Sequence, residues 1–253
     1  MATNTVPPTA PPIPTPTAKP TLEAGTYTRD LIVNTLHREY ILYIPSGFNN
    51  QQPAPVVFVF HGFGGDPLSL MDETGFNQLA DKNGFFVVYP RGTSASWNAG
   101  GCCGNAIAQN RDETAFVKQI LVDLQTFAMI DPERVYATGI SNGGMMSYRL
   151  ACEMSDTFAA IAPVAGPLFY TPCEPQEPVA VMHVHGPKLD SIVPFAGGTS
   201  SIRHPDLLMT FPPVEEGIST WVKIDGCTTS TTEEVEYVSV HTVHSSCKSG
   251  TAV

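Results

Sequence analysis

The sequence predicts an α/β protein, a mostly parallel central sheet with helices on both faces. Three observations carry that expectation. Strand-length apolar runs alternate with amphipathic, helix-length segments along most of the chain. One run, Val56-Val57-Phe58-Val59-Phe60, leads straight into the glycine-rich His61-Gly62-Phe63-Gly64-Gly65. Another, Val135-Tyr136-Ala137-Thr138, leads into Gly139-Ile140-Ser141-Asn142-Gly143-Gly144 and then a helix-compatible stretch, 145–150. Strands that are apolar throughout suit a parallel sheet, which is covered on both faces.

The elements follow in order. Residues 27–33 and 38–44 read as an antiparallel entry hairpin, and 56–60 as the first buried parallel strand. A helix is expected around 68–82 and a strand at 85–89. A long loop, 91–110, holds Trp97 and the pair Cys102-Cys103. Phe116, Ile120, Leu121, Leu124 and Phe127 fall at helical spacing and mark an amphipathic helix. After the strand and helix around Ser141 come strands at 159–164 and 179–184, a helix at 213–225 and a last strand at 234–243.

A serine between glycines at a strand-to-helix turn has the form of the nucleophile elbow of an α/β-hydrolase. The turn is too tight for a Cβ on either side, and it holds the serine Oγ above the sheet. The helix behind it aims its first N–H groups at the place where an oxyanion would form. The bare pattern is weak, but His61–Gly65 supplies the second donor loop in the right order and on the right element. Such an enzyme also needs a base and an acid that orients it. The strand at 179–184 ends in His185-Gly186, and Asp190 follows at the carboxyl edge of the sheet, on the side of Ser141. Asp190 is the candidate acid.

Composition narrows the partners. A net charge of −11 over 253 residues argues against nucleic acid or an anionic membrane surface and favours a neutral substrate. No apolar run reaches the ~18 residues of a membrane span. No cofactor or metal is expected, and the six cysteines have no C-x-x-C pair. Their even number suggests disulfides in an oxidising compartment, with fifteen connectivities open. Cys102 and Cys103 are too close for an ordinary bridge between them, so each is expected to reach elsewhere. Residues 1–22 are rich in proline and threonine and read as an extended linker of the kind found in exported enzymes, with 23–253 as the catalytic domain. The first 20 residues show no basic region followed by an apolar one, so they do not read as a signal peptide.

Together, His61–Gly65, Trp97-Asn98-Ala99-Gly100-Gly101-Cys102-Cys103-Gly104, the Ser141 elbow, Leu150-Ala151-Cys152-Glu153 and Asp190-Ser191-Ile192-Val193-Pro194-Phe195 resemble the secreted polyhydroxybutyrate depolymerase and feruloyl esterase group. That group is similar to carbohydrate esterase family one, and the likeness runs from about Gly25 to the C-terminus. It implies an α/β-hydrolase fold, Ser141 as nucleophile, Asp190 as acid, and oxyanion donors from the backbone of Phe63 and Asn142. It also implies a secreted, monomeric serine esterase acting on ester-bearing plant-wall polysaccharides or short hydroxyalkanoate polyesters. Two departures stand out. Members have one residue fewer between the His-Gly pair and the acid, where this chain has Pro187-Lys188-Leu189. Members also carry the base in Gly-Gly-His-x-Trp-Pro-Gly, after one more strand beyond two late cysteines. Cys227 and Cys247 match those cysteines and are expected to be bridged, but no such string follows them. The chain is therefore expected to be C-terminally truncated, without its last strand and its base.

The histidines present fit the role poorly. His61 belongs to the donor loop, and His183 and His185 precede the acid. His204 lies in a polar loop, and His241 and His244 sit in a β-like stretch, with His244 the fallback base. The alternative reading is a non-catalytic module that keeps the fold and grips a polymer through Trp97, the candidate substrate-binding residue.

Overall fold

The computed structural model describes residues 22–186, 190–235 and 239–253. The proline- and threonine-rich segment expected to be a linker lies outside them, apart from Leu22.

The chain enters through an antiparallel hairpin, β1 (Gly25–Val33) and β2 (Leu36–Ile44), turning at Asn34-Thr35. Three strands then form the centre: β3 (Ala54–Phe60), β4 (Phe86–Pro90) and β5 (Ile130–Ile140). They are followed by β6 (Ala160–Val164) and the short β7 (Ala180–Val181). Together these make a seven-stranded sheet in the order β1-β2-β4-β3-β5-β6-β7, parallel from β4 to β7. Past β7 the chain stays extended beside β6, with Val184 N–H on the Pro163 carbonyl.

β3 leads back to β4 on one side, while β5 joins it on the other, so the loops leaving β3 and β5 part company. In an open α/β sheet that divergence makes a crevice at the carboxyl ends of the strands. The loops at this one are His61–Gly65 and the turn at Ser141.

Both faces of β3 are covered, which accounts for its unbroken apolar sequence. Val56, Phe58 and Phe60 face a large core with α4 (Glu113–Leu124) and α5 (Asn142–Glu153). Val57 and Val59 face a smaller one with α1 (Pro67–Thr74) and α2 (Phe76–Asn83). The helix expected over 68–82 is thus two helices, broken at Gly75, whose φ of 67° ends the first. The long loop after β4 contains one short helix, α3 (Gly104–Ala108).

The last third differs most from expectation. α6 (Val214–Asp225) lies where the sequence placed it, and buried Trp221 gives its indole N–H to the Val179 carbonyl. The segment read as one strand is instead part of a hairpin, β10 (Thr229–Val235) against β11 (Ser239–Ser245), outside the main sheet. A further small pair, β8 (Gly198–Thr199) and β9 (Thr210–Phe211), brackets the loop that carries His204.

All six cysteines are bridged: Cys152–Cys173, Cys227–Cys247 as expected, and Cys102–Cys103. The adjacent pair corrects the expectation that each partner reaches elsewhere. That expectation rests on the usual span of a bridge, and these two Cα atoms lie only 3.1 Å apart. Among the described residues no helix is long and apolar enough to cross a membrane.

Phe58 lies fully buried between Phe60 and Phe158 at the centre of the sheet. Phe58→Ala is expected to remove about 3–5 kcal/mol of stability. Calorimetry should read this as a fall in Tm of roughly 6–20 °C for a domain of this size.

Candidate active site

Ser141 stands between β5 and α5 with φ 55° and ψ −119°, a conformation that costs a non-glycine residue about 1–3 kcal/mol. Its surroundings impose it. Ser141 N–H donates to the Val164 carbonyl of β6 at 2.8 Å, and its own carbonyl accepts from Met145 N–H of α5. The glycines on either side are required by close approach. A Cβ on Gly139 would lie 2.6 Å from the Phe60 carbonyl oxygen, and one on Gly143 only 2.1 Å from it.

The pairing of Phe60 with Gly139 sets the next two residues of β3 beside the serine. A Cβ built on Gly62 would fall 3.5 Å from Ser141 Cβ. In this loop Gly64 gives its N–H to Ala95 and Gly65 gives its own to Gly62, while Phe63 N–H has no backbone acceptor among the described residues. Asn142 opens α5, so its N–H is one of the donors a helix leaves unpaired. These are the two groups expected to receive an oxyanion.

Beneath the serine lies a floor of side chains tied to main chain. The Asn142 amide accepts from Trp97 N–H at 2.7 Å and donates to the carbonyls of Trp97 and Cys102. Trp97 Nε1 donates to the His61 carbonyl at 2.8 Å, and the indole meets Phe60 edge-on. Trp97 is 0% exposed. This corrects its assignment as a substrate-binding residue: it supports the donor loop from below and has no surface to offer a polymer. His61 is equally buried. Gly92 N–H donates to Nε2, so Nδ1 carries the proton and donates to the Gly62 carbonyl. Burial pushes its pKa below the usual value, so the ring is neutral.

Asp190 is held by its own loop: Oδ1 accepts from Ile192 N–H at 3.0 Å and Val193 N–H at 2.8 Å. Residues 187–189, the extra length before Asp190, lie outside the described residues. His185 approaches Asp190 from the other side, its Nε2 3.5 Å from Oδ2. Among the described residues, which include all seven histidines, none hydrogen-bonds Ser141. His61 and His185 are committed through both ring nitrogens. His241 pairs with Glu233 on the outer hairpin, and His244 joins its backbone to Val253. His204 is better placed than its polar loop suggested, because its ring packs edge-on against Phe63 of the donor loop at 5.3 Å.

The family described as esterase PHB depolymerase matches residues 38–197, more than half the chain and inclusive of Phe63, Ser141, Asn142 and Asp190. The chain belongs to that family. Feruloyl esterase B of Piromyces equi is 29% identical over 200 residues, covering 76% of this chain and 36% of that protein. The bifunctional acetylxylan esterase/xylanase XynS20E of Neocallimastix patriciarum is 34% identical over 151 residues, covering 59% and 21%. The chain thus spans about a third and a fifth of these relatives' lengths. The solved structure of native pOPH is similar with a TM-score of 0.52 and 18% identity, over 69% of this chain and 72% of that one. The fold is that of the α/β-hydrolases.

In this member of the family, the back of the site rests on buried charges that the sequence reading passed over. Arg38 of β2 pairs with Glu113 of α4 at 2.8 Å and lies over the Phe116 ring. Glu113 also accepts from Asn98 N–H, and Arg149 of α5 donates to the Asn98 carbonyl while pairing with Glu153. The available signal was an arginine inside an otherwise apolar helix and a glutamate opening one.

A neutral His61 has a sign in pH. Its folded pKa lies below the unfolded value of about 6.5, so its contribution is whole above that pH and is lost as pH falls from there. His61→Gln, which can keep both the donor and the acceptor, should flatten the fall in Tm between pH 7 and pH 5. An unchanged slope in calorimetry contradicts the neutral ring.

Proposed function

We propose that this chain is the catalytic domain of a secreted, monomeric serine carboxylic-ester hydrolase. The observation that carries the reading is Ser141, held at φ 55° on the carboxyl edge of the sheet beside Gly62 of the donor loop. A strained serine serves nucleophilic attack and has no use in a binding module. Burial of Trp97 also removes the side chain on which a polymer-gripping role depended.

In the proposed reaction Ser141 Oγ attacks the ester carbonyl and gives up its proton to a base. The oxyanion forms against Phe63 N–H and Asn142 N–H, donors fixed in place before the charge develops. The alcohol leaves with a proton from that base. Water, deprotonated by the same base, then releases the acid from the acyl-serine. Asp190 orients the base.

The substrates proposed are feruloyl or acetyl esters of plant-wall polysaccharide, or short hydroxyalkanoate polyesters. The names of the relatives and of the family support that class. Three disulfides and the proline- and threonine-rich stretch before the domain support an extracellular setting.

The base is proposed to be a histidine, as the reaction requires. Among the described residues none bonds Ser141, and the one whose ring packs on the donor loop is His204, against Phe63.

The test is hydrolysis of a short-chain p-nitrophenyl ester by this chain beside its Ser141→Ala and His204→Ala variants. Turnover lost in Ser141→Ala supports the serine mechanism, and turnover lost as well in His204→Ala supports His204, the histidine that packs on Phe63, as the base. Turnover that survives Ser141→Ala, or a folded chain inert on a broad ester panel, would overturn the reading.

A further inference from the structure

The extended segment after β7 is built inside out. Its side chains alternate between two faces, as in any strand. Met182 and Val184 take the outer face at 63% and 48% exposure, while His183 and His185 point inward. The His185 side chain is 1% exposed. Burial alone would choose the opposite arrangement, since the apolar pair gains most from leaving water and the imidazoles lose most. A local choice that opposes the general rule marks a position kept for another reason.

The two rings lie in a continuous column. Tyr148 of α5 stacks on His183, His183 on His185, and His185 meets Phe195 edge-on. Hydrogen bonds run along it: Tyr148 Oη to His183 Nδ1 at 3.0 Å, His183 Nε2 to His185 Nδ1 at 3.2 Å, and His185 Nε2 to the Val193 carbonyl at 2.8 Å. The column starts on the nucleophile's helix, two turns beyond Ser141, and ends in the loop that holds Asp190.

One group sets the direction of every bond. The Val193 carbonyl can only accept, so His185 Nε2 carries a proton. With one proton on each ring, His185 Nδ1 is then bare and accepts from His183 Nε2–H. His183 Nδ1 is bare in turn and accepts the Tyr148 hydroxyl proton. Burial, with His185 beside it, pushes the His183 pKa down to about 4.

We propose that His183 and His185 are positioning residues, a uniformly polarised relay that fixes the Asp190 loop against the helix of Ser141. His185 N–H clamps the Val193 carbonyl, and Val193 N–H and Ile192 N–H clamp Asp190 Oδ1. The separation of acid and nucleophile is thereby set by side chains packed in the core. The inference rests on reading Asp190 as the acid, and its test does not require turnover.

The test is long-range proton–nitrogen NMR of the imidazoles at neutral pH in the full chain, joined to amide hydrogen exchange. Both His183 and His185 are expected to carry a proton at Nε2, with Nδ1 bare on each ring. The reverse order, with both His185 nitrogens protonated and His183 protonated at Nδ1, overturns the relay without any variant. Tyr148→Phe removes one hydroxyl and frees His183 to change tautomer. Exchange at the Ile192 and Val193 amides should then quicken by about tenfold, the scale of one lost hydrogen bond. The Val57 and Phe58 amides of β3 should keep their rates, which separates a local release from general loosening. Unchanged exchange at Ile192 and Val193 also overturns the relay. Failure of the acid assignment reads out elsewhere: Asp190→Asn would leave ester turnover intact while the tautomer pattern stood.

Discussion

Between Gly143 and the carbonyl of Phe60 there is no room for a single carbon atom, and the edge of the sheet that carries Ser141 is arranged around that approach. It lets α5 lie against the end of β3. The chain must therefore reverse within one residue after β5, which drives Ser141 into positive φ. The same closeness puts Gly62 beside the serine and brings Asn142 within reach of Trp97. The placement of Ser141, of His61–Gly65 and of the floor beneath them thus follows from one backbone contact that only glycine permits.

Two kinds of polar interaction then hold the site from opposite sides. Below, the buried Arg38–Glu113 pair and Arg149 reach the main chain of Asn98, so charge is used to fix a loop that has little regular structure of its own. Removing one partner of such a pair strands the other in a dry interior, so these residues are costly to vary singly. On the side of Asp190 the link runs through a phenol, two imidazoles and a carbonyl, and it ends beside the carboxylate itself.

The parts legible in the sequence are those whose physics is local. The entry hairpin, the apolar strands and the elbow each declare themselves within about ten residues, through periodicity or glycine spacing. Trp97 was misassigned because a tryptophan in a glycine-rich loop looks exposed, and only the meeting of three segments shows that it lies under His61. The Cys102–Cys103 bridge was missed because adjacent cysteines lie closer than the usual span of a bridge. The break at Gly75 was lost because one glycine inside a helical pattern is usually tolerated. The roles of His183 and His185 were invisible for a different reason: the neighbours that orient them come from α5 and from the acid loop.

The β10–β11 hairpin stands apart from all of this. Every residue of β10 is exposed, and most of β11 is too. The Cys227–Cys247 bridge closes the segment at its base with the two Cα atoms 3.9 Å apart. Whatever the hairpin does, the covalent tie presents the rest of the domain with the same two end points. Loop closure is nearly indifferent to the length of what is closed, so residues can be gained, lost or exchanged there with little effect on the core. Among descendants of one ancestor, this is the stretch where the chain is freest to drift.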